Sequence, residues 1–235
     1  MKKLVLFLFL ISLCGISYSQ ILVPFVKRYD VTQRGGLVMV ANSMVTCNGG
    51  SGCSTGQNQV SPAGTARDNN FNSAYIDIDG DATTFSSSNA TLNLPTCSKI
   101  TFAGLYWGAP IESNNSRYAQ RNKIKIKQPG SAIYTQLTAD IINDFDINYG
   151  VYNCYKDITT LVSTAGNGTY TMADLVSQTG KSNQFAGWSI MIVYKNSAFP
   201  AKNFTVFDGV ASIDDENIAT ITTSGFYTPT IKQIQ

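Results

Sequence analysis

The chain has 235 residues, a formal net charge of +2 and no histidine, and its length suffices for one full-size β domain or two small ones. The near-neutral charge provides no basic footprint for nucleic acid, and no polybasic segment indicates lipid binding. The absence of histidine removes the commonest general base, the commonest zinc ligand and the Ser-His and Cys-His nucleophile pairs, so composition favours a non-enzyme.

The first 19 residues have the pattern of a secretory signal peptide. Lys2 and Lys3 form a charged n-region, residues 4–13 form an apolar h-region, and Ser-Tyr-Ser at 17–19 fits the small-x-small cleavage pattern. We therefore predict that residues 1–19 are removed on export and that the protein acts outside the cytoplasm.

The sequence disfavours two alternatives to cleavage. A membrane anchor is disfavoured, because the apolar run at 4–13 is too short to span a bilayer comfortably. A lipoprotein site at Cys14 is disfavoured because Leu13 stands where such sites want a small residue. The sequence therefore predicts no membrane insertion after cleavage, and a single secreted domain over residues 20–235.

Four cysteines remain after cleavage: Cys47, Cys53, Cys97 and Cys154. An even count in an exported chain indicates two disulfides. Of three possible pairings we favour Cys47–Cys53 with Cys97–Cys154, because the first pair brackets a flexible loop within the Gly/Ser-rich region 35–66. The second bridge closes a long loop and would stabilise the fold by on the order of 4 kcal/mol in the chain-entropy model. A four-thiolate metal site is disfavoured because the paired C-x-x-C spacing is missing.

Short strand patterns separated by turns run through the rest of the chain. They lie at 36–41, 74–79, 91–95, 99–108, 123–127, 132–137, 168–173, 186–195 and 203–209. The longest apolar run after the signal peptide, at 186–195, is typical of a central strand covered on both faces. Roughly nine or ten short strands predict an all-β fold, an antiparallel β-sandwich of jelly-roll or immunoglobulin-like type.

Three segments between these strands have other patterns. Residues 157–162 give the best helix pattern, with Asp157 as its cap and Gly166 as its end. Residues 85–89 are polar and serine-rich. Residues 112–121 form a polar loop of the kind that carries a binding surface. The sandwich is therefore predicted to contain one short helix and one candidate recognition loop.

The sharpest polar cluster is Asp-Ile-Asp-Gly-Asp at 77–81, where Asp77, Asp79 and Asp81 resemble the start of a calcium loop. An EF-hand loop would have glycine where Ala82 stands and glutamate where Ser88 stands. Two interpretations stay open. One is a calcium site completed by backbone carbonyls of another loop, and the other, which the sequence favours, is the solvent-facing side of a strand that runs into a turn.

Aromatic residues are candidates for a sugar-stacking platform. Trp107 and Trp188 lie in strong strand patterns, so core packing is the favoured interpretation for them. Tyr149, Tyr152 and Tyr155 stand among polar neighbours and are better surface candidates, although a structural role is favoured there too.

Three sequence motifs occur together in a fixed order. They are Gly-Leu-Tyr-Trp-Gly-Ala at 104–109, Asp-Ile-Thr-Thr-Leu-Val at 157–162 with Gly-Thr-Tyr-Thr-Met-Ala-Asp at 168–174, and Ala-Gly-Trp-Ser-Ile-Met-Ile-Val-Tyr at 186–194 with Lys-Asn-Phe-Thr-Val-Phe-Asp-Gly at 202–209. In this order they resemble the N-terminal region of large bacterial cell-surface, adhesin-like proteins. Such proteins often carry downstream β-sandwich repeats and, in gliding bacteria, a sorting domain for type IX secretion.

The resemblance covers residues 36–226 and implies a cell-surface or outer-membrane-associated module without catalytic residues. It implies a role in cell adhesion, or as a structural region of a surface protein, with a surface glycan or a protein as the partner. Related chains continue beyond residues 225–229, so we expect either a truncated frame or a stand-alone version.

The alternative function is a carbohydrate-binding module, calcium-assisted through Asp77, Asp79 and Asp81. A third hypothesis is a carboxylate-dependent hydrolase. It is disfavoured because nothing in the sequence places two carboxylates across a cleft.

Overall fold

The computed structural model describes residues 20–47, 71–145, 150–212 and 219–227. The predicted signal peptide at 1–19, together with Cys53 and Tyr149, lies outside these ranges. Within them the chain forms twelve strands, one α-helix and one short 3₁₀ helix at Tyr118–Gln120. The strands and the α-helix are β1 (Gln20–Ser43), β2 (Val45–Cys47), β3 (Ser73–Tyr75), β4 (Ser87–Leu92), β5 (Lys99–Pro110), β6 (Lys123–Lys127), β7 (Thr135–Thr138), β8 (Ile141–Phe145), β9 (Val151–Asp157), α1 (Thr159–Ala165), β10 (Gly168–Ala173), β11 (Gly187–Lys195) and β12 (Ala201–Ser212).

The chain divides into two compact units. The larger unit spans residues 32–204. The smaller unit contains both ends of the chain, of which 20–31, 205–212 and 219–227 are described. The single secreted domain over 20–235 stays a prediction.

Contacts within the smaller unit tie its segments together. Arg28 Nε lies 2.6 Å from Asp208 Oδ2, with both side chains three-quarters or more buried. The ring of Phe207 meets that of Phe226 edge-on, with 6.5 Å between centroids.

The strands form three antiparallel sheets. Their orders are β12-β1-β11-β5-β9-β8, β4-β10-β6-β7 and β2-β3. In the first sheet β11 lies between β1 and β5, with Trp188 opposite Trp107 and Ile190 opposite Leu105. The apolar run at 186–195 is therefore a central strand, as the sequence predicts.

The hydrophobic core of the larger unit draws on both main sheets. The six-stranded sheet contributes buried Leu105, Trp107 and Ile190. The four-stranded sheet contributes Ile126 of β6 and Met172 of β10, which are both fully buried. Because strand residues alternate between faces, each sheet presents one apolar face to the other. The predicted all-β antiparallel sandwich with a short helix is confirmed.

The helix begins two residues later than the predicted 157–162. Ile158 is its N-cap and Gly166, at φ 71°, ends it. Asp157 precedes the cap, and its Oδ1 accepts the backbone N–H of Thr159 at 2.8 Å. Among the described residues no helix is long and apolar enough to cross a membrane.

The Cys97–Cys154 disulfide is wrong for this structure, because both thiols are free. Cys97 lies in the turn before β5, whereas Cys154 of β9 stands opposite Trp107. From the start of β5 to Trp107 the strand rises about 26 Å at about 3.3 Å per residue, and a disulfide needs Cα atoms within roughly 7 Å. Cys47 is disulfide-bonded, and its predicted partner, Cys53, lies outside the described residues.

Candidate functional site

An open groove of about 1240 Å³ lies where three connections of the larger unit meet. Pro110 at the end of β5 and residues 111–114 and 118 of the β5–β6 connection contribute to it, and the β10–β11 connection contributes 178 and 180–185. Residues 144–145 and 150–151, at the facing ends of β8 and β9, complete the walls together with Asn72. We call this surface the loop groove. Connections at one end of a sandwich are where such folds place recognition.

Backbone hydrogen bonds hold the walls of the loop groove together. The N–H of Ile111 donates to the carbonyl of Gly150 at 3.0 Å, and the N–H of Gln178 donates to the carbonyl of Pro110 at 2.8 Å. Gly150 has φ +60°, and a Cβ there would clash with the Ile111 carbonyl oxygen. Position 150 therefore requires glycine, both for its backbone conformation and because there is no space for a side chain.

Two core tyrosines anchor the β10–β11 connection by its main chain. The hydroxyl of Tyr75 donates to the carbonyl of Ser177 at 2.7 Å and accepts its N–H at 2.8 Å. The hydroxyl of Tyr152 donates to the carbonyl of Val176 at 2.6 Å. Burial raises the pKa of both phenols, so they stay protonated and able to donate. The groove wall that follows is preorganised.

Three charged side chains line the loop groove, Glu112, Asp144 and Lys181, and each is in an ion pair. Lys181 Nζ lies 2.5 Å from Glu112 Oε1. Arg121 donates two hydrogen bonds to Asp144, from Nε to Oδ1 and from Nη2 to Oδ2, each 2.7 Å long. Its guanidinium lies 3.9 Å from the centroid of the Tyr118 ring. The hydrogen bond to Asp144 raises the pKa of Arg121, and a bidentate contact of this kind is among the stronger ion pairs in proteins.

The uncharged lining combines amides with aromatic rings. Phe185 is 50% exposed, and Phe145 and Tyr118 are part-exposed. Five amide side chains share the surface with them: Asn72, Asn114, Gln178, Asn183 and Gln184. An amide offers both a donor and an acceptor, and an aromatic face offers apolar area. The groove therefore suits a ligand with polar edges and apolar faces.

The structure does not assemble the predicted calcium site. Ser87 Oγ lies 2.8 Å from Asp77 Oδ1 and 2.9 Å from Asp79 Oδ1. Asp81 Oδ1 instead accepts the backbone N–H of Thr83 at 2.9 Å. No group of three or more His, Cys, Asp or Glu side chains in the described ranges is placed to hold a metal ion. The protein's own hydroxyl and amide donors satisfy these carboxylates.

Asp79 connects this acidic loop, residues 77–81, to neighbouring side chains. Its Oδ2 accepts from Lys127 Nζ at 2.8 Å and from the Tyr134 hydroxyl at 2.6 Å. Desolvation disfavours the ionised carboxylate, but the hydrogen bonds from Lys127, Tyr134 and Ser87 outweigh it and hold the pKa of Asp79 well below its usual range. Desolvation and the same carboxylate raise the pKa of Tyr134. The bonds of Asp79 therefore have a structural role, because they hold the acidic loop against β6.

The aromatic candidates have structural positions. Trp107 and Trp188 are 2% and 3% exposed, which confirms core packing. Tyr152, a surface candidate by sequence, is 1% exposed. The ring of Tyr155 packs on that of Tyr106, with 5.1 Å between centroids.

Sequence reasoning found part of the loop groove. It selected the loop at 112–121, of which residues 112–114 and 118 line the groove. It did not select Gln178 or Phe185, because a polar stretch before a strand carries no local sign of which side chains converge on a distant loop.

Comparisons with protein-family models, with curated proteins and with solved structures each found no match. The geometry of the loop groove is thus the main guide to function.

Proposed function

We propose that the chain is a non-catalytic, ligand-binding module of an adhesin-like cell-surface protein, and that the loop groove holds its ligand. The observation that carries this proposal is the joining of separate connections into one concave surface. The bonds from Ile111 to Gly150 and from Gln178 to Pro110 fix that surface to the sheets. A rigid scaffold that presents loops is the usual design of a recognition module.

Binding rather than catalysis is supported by the state of the groove carboxylates. Glu112 and Asp144 are each held by a cation, Lys181 and Arg121 respectively. A general acid or base needs its proton site available to the substrate. Both lining carboxylates are arranged as structural ion pairs instead.

The surface location is supported by the sequence alone. The signal-peptide pattern at 1–19 favours export. The sequence motifs at 104–109, 157–162 and 186–194 resemble surface proteins of gliding bacteria that use type IX secretion. On this proposal the module acts at the cell surface, either in adhesion itself or as a structural region that positions an adhesin.

The test measures binding of the purified chain to two immobilised surfaces, mucin and outer-membrane vesicles of a gliding bacterium. Ser113→Trp, on the exposed lining of the groove, is compared with Ser163→Trp, on the exposed side of α1. Circular dichroism checks that both variants fold. We expect saturable binding by the parent chain and by Ser163→Trp, with loss in Ser113→Trp. Equal binding by both variants, or no saturable binding by the parent, would overturn the proposal.

A further inference from the structure

We infer that the loop groove takes an uncharged oligosaccharide chain, with the ring of Phe185 as the platform on which a sugar face stacks. This inference rests on the proposed function, because it names the ligand class of the same groove.

The first step is electrostatic. The charged residues of the lining are one cation, Lys181, and two carboxylates, Glu112 and Asp144. Lys181 pairs with Glu112, so the lining has no surplus positive charge with which to recognise a phosphate or sulfate. The balance of charge favours a neutral ligand over an acidic one.

The second step concerns hydrogen bonding. The amide side chains of the lining present donors and acceptors side by side, and Ser113 and Ser182 add hydroxyls. A sugar hydroxyl is also a donor and an acceptor at one atom. Gln178 Oε1 accepts from Asn115 at 3.4 Å, and Gln184 Nε2 donates to the Ser182 carbonyl at 2.9 Å. The match to neighbouring sugar hydroxyls therefore depends chiefly on the exposed amides of Asn72, Asn114 and Asn183.

The third step is the position of Phe185. Its carbonyl accepts from the buried Ser177 hydroxyl at 3.3 Å. The next residue, Ala186, is buried, and its carbonyl accepts from Met44 N at 2.8 Å. The main chain on both sides of Phe185 is thus anchored, which keeps this half-exposed residue at the groove lining. An exposed aromatic ring at an anchored backbone position suits the apolar C–H face of a pyranose.

The fourth step is size. The groove volume of about 1240 Å³ exceeds the roughly 300–1,000 Å³ of pockets for single small ligands. The groove is also partly open to solvent, which admits a chain of several sugar units rather than one enclosed molecule.

The experiment titrates the purified chain with a printed array of neutral oligosaccharides and then with the best binder in solution. Phe185→Ala should weaken affinity by about tenfold or more, whereas Phe185→Trp should retain it because a stacking face remains. Ile133→Ala removes an apolar side chain that is 74% exposed outside the groove, and it should bind like the parent.

Periodate treatment of mucin, which destroys vicinal diols, separates this inference from the proposed function. Loss of binding after periodate supports a glycan ligand. Binding that survives periodate but is lost in Ser113→Trp overturns the glycan and leaves a groove that binds a protein. Binding that Ser113→Trp does not change overturns the proposed function itself. A silent neutral array, or equal affinity of Phe185→Ala and the parent, also overturns the inference.

Discussion

The indole Nε1 of Trp188 donates a hydrogen bond to the hydroxyl of Ser88 at 2.8 Å, and both side chains are buried. Trp188 belongs to β11 of the six-stranded sheet and Ser88 to β4 of the four-stranded sheet. The bond therefore joins the two layers of the sandwich by a directional contact, in a core that is otherwise largely apolar.

Replacing Ser88 with alanine should leave the indole N–H unpaired in the core. We expect the free energy of unfolding to fall by about 1–3 kcal/mol, measured by denaturant titration followed by tryptophan fluorescence. Ser163→Ala, on the exposed side of α1, should change it by no more than about 0.5 kcal/mol. Equal stability of the two variants would show that the interlayer bond contributes nothing.

Gly150→Ala tests the close approach that shapes the groove. Alanine would be strained at φ +60°, and its Cβ would meet the Ile111 carbonyl. Gly130 is the matched control, since it has φ +75° but nothing within 4 Å of an added Cβ. Gly130→Ala should cost about 1 kcal/mol of unfolding free energy from backbone strain alone.

We expect Gly150→Ala to cost more than its control and to weaken binding to the mucin surface. Thermal unfolding and the binding assay are measured on both variants. If both unfold at the same temperature and bind alike, the contact between Gly150 and Ile111 does not shape the wall.

The free thiols of Cys97 and Cys154 should differ sharply in reactivity. Cys97 is exposed and Cys154 is buried, where burial raises the pKa of the Cys154 thiol to about 12. Because the thiolate is the reactive species, iodoacetamide at neutral pH should alkylate Cys97 in the folded chain and Cys154 only after denaturation. Peptide mass spectrometry measures both. A peptide that links Cys97 to Cys154 under non-reducing conditions would contradict the structure.

The ion pair and hydrogen bonds of Asp79 predict that the stability of the fold is sensitive to acid. The folded-state pKa of Asp79 is lowered, so its ionised form contributes stability above the unfolded value of about 3.9, and that contribution is lost as pH falls below it. Asp79→Asn should lower the free energy of unfolding at neutral pH by about 1 kcal/mol, a value reduced for solvent screening.

The pH profile distinguishes this role from a simple loss of packing. Urea titrations at neutral and acidic pH should show a smaller loss of stability in Asp79→Asn than in the parent as pH falls below about 4. Parallel profiles for the two proteins would show that ionisation of Asp79 does not stabilise the fold.

The sequence predicts the strands whose burial is visible in residue type. The strands β5 and β11 are nearly continuous apolar runs, and their central place follows from that. The start of β4 was missed, because Ser86, Ser87 and Ser88 are polar by composition yet fully buried. The hydroxyls of Ser87 and Ser88 reach Asp79 and Trp188. Those partners lie on other strands and become visible only after the chain has folded.

The loop groove was predictable only in part for a related reason. The turn chemistry of residues 112–121 marks a surface loop, which local sequence can reveal. The groove also needs Pro110 and Gln178 to be joined by a backbone hydrogen bond. Backbone bonds between distant segments leave no mark on residue type, so the second wall and Phe185 were not found.

The two tyrosine anchors have a consequence for how this fold can change. The hydroxyl of Tyr75 bonds to the main chain of Ser177, and that of Tyr152 bonds to the main chain of Val176. These hydrogen bonds therefore do not depend on which side chains follow. Residues 178–185, except Gly180 at φ +77°, can therefore be randomised in a display library while the attachment points stay intact. Directed evolution on this segment would yield a panel of binders with new specificities on one unchanged framework.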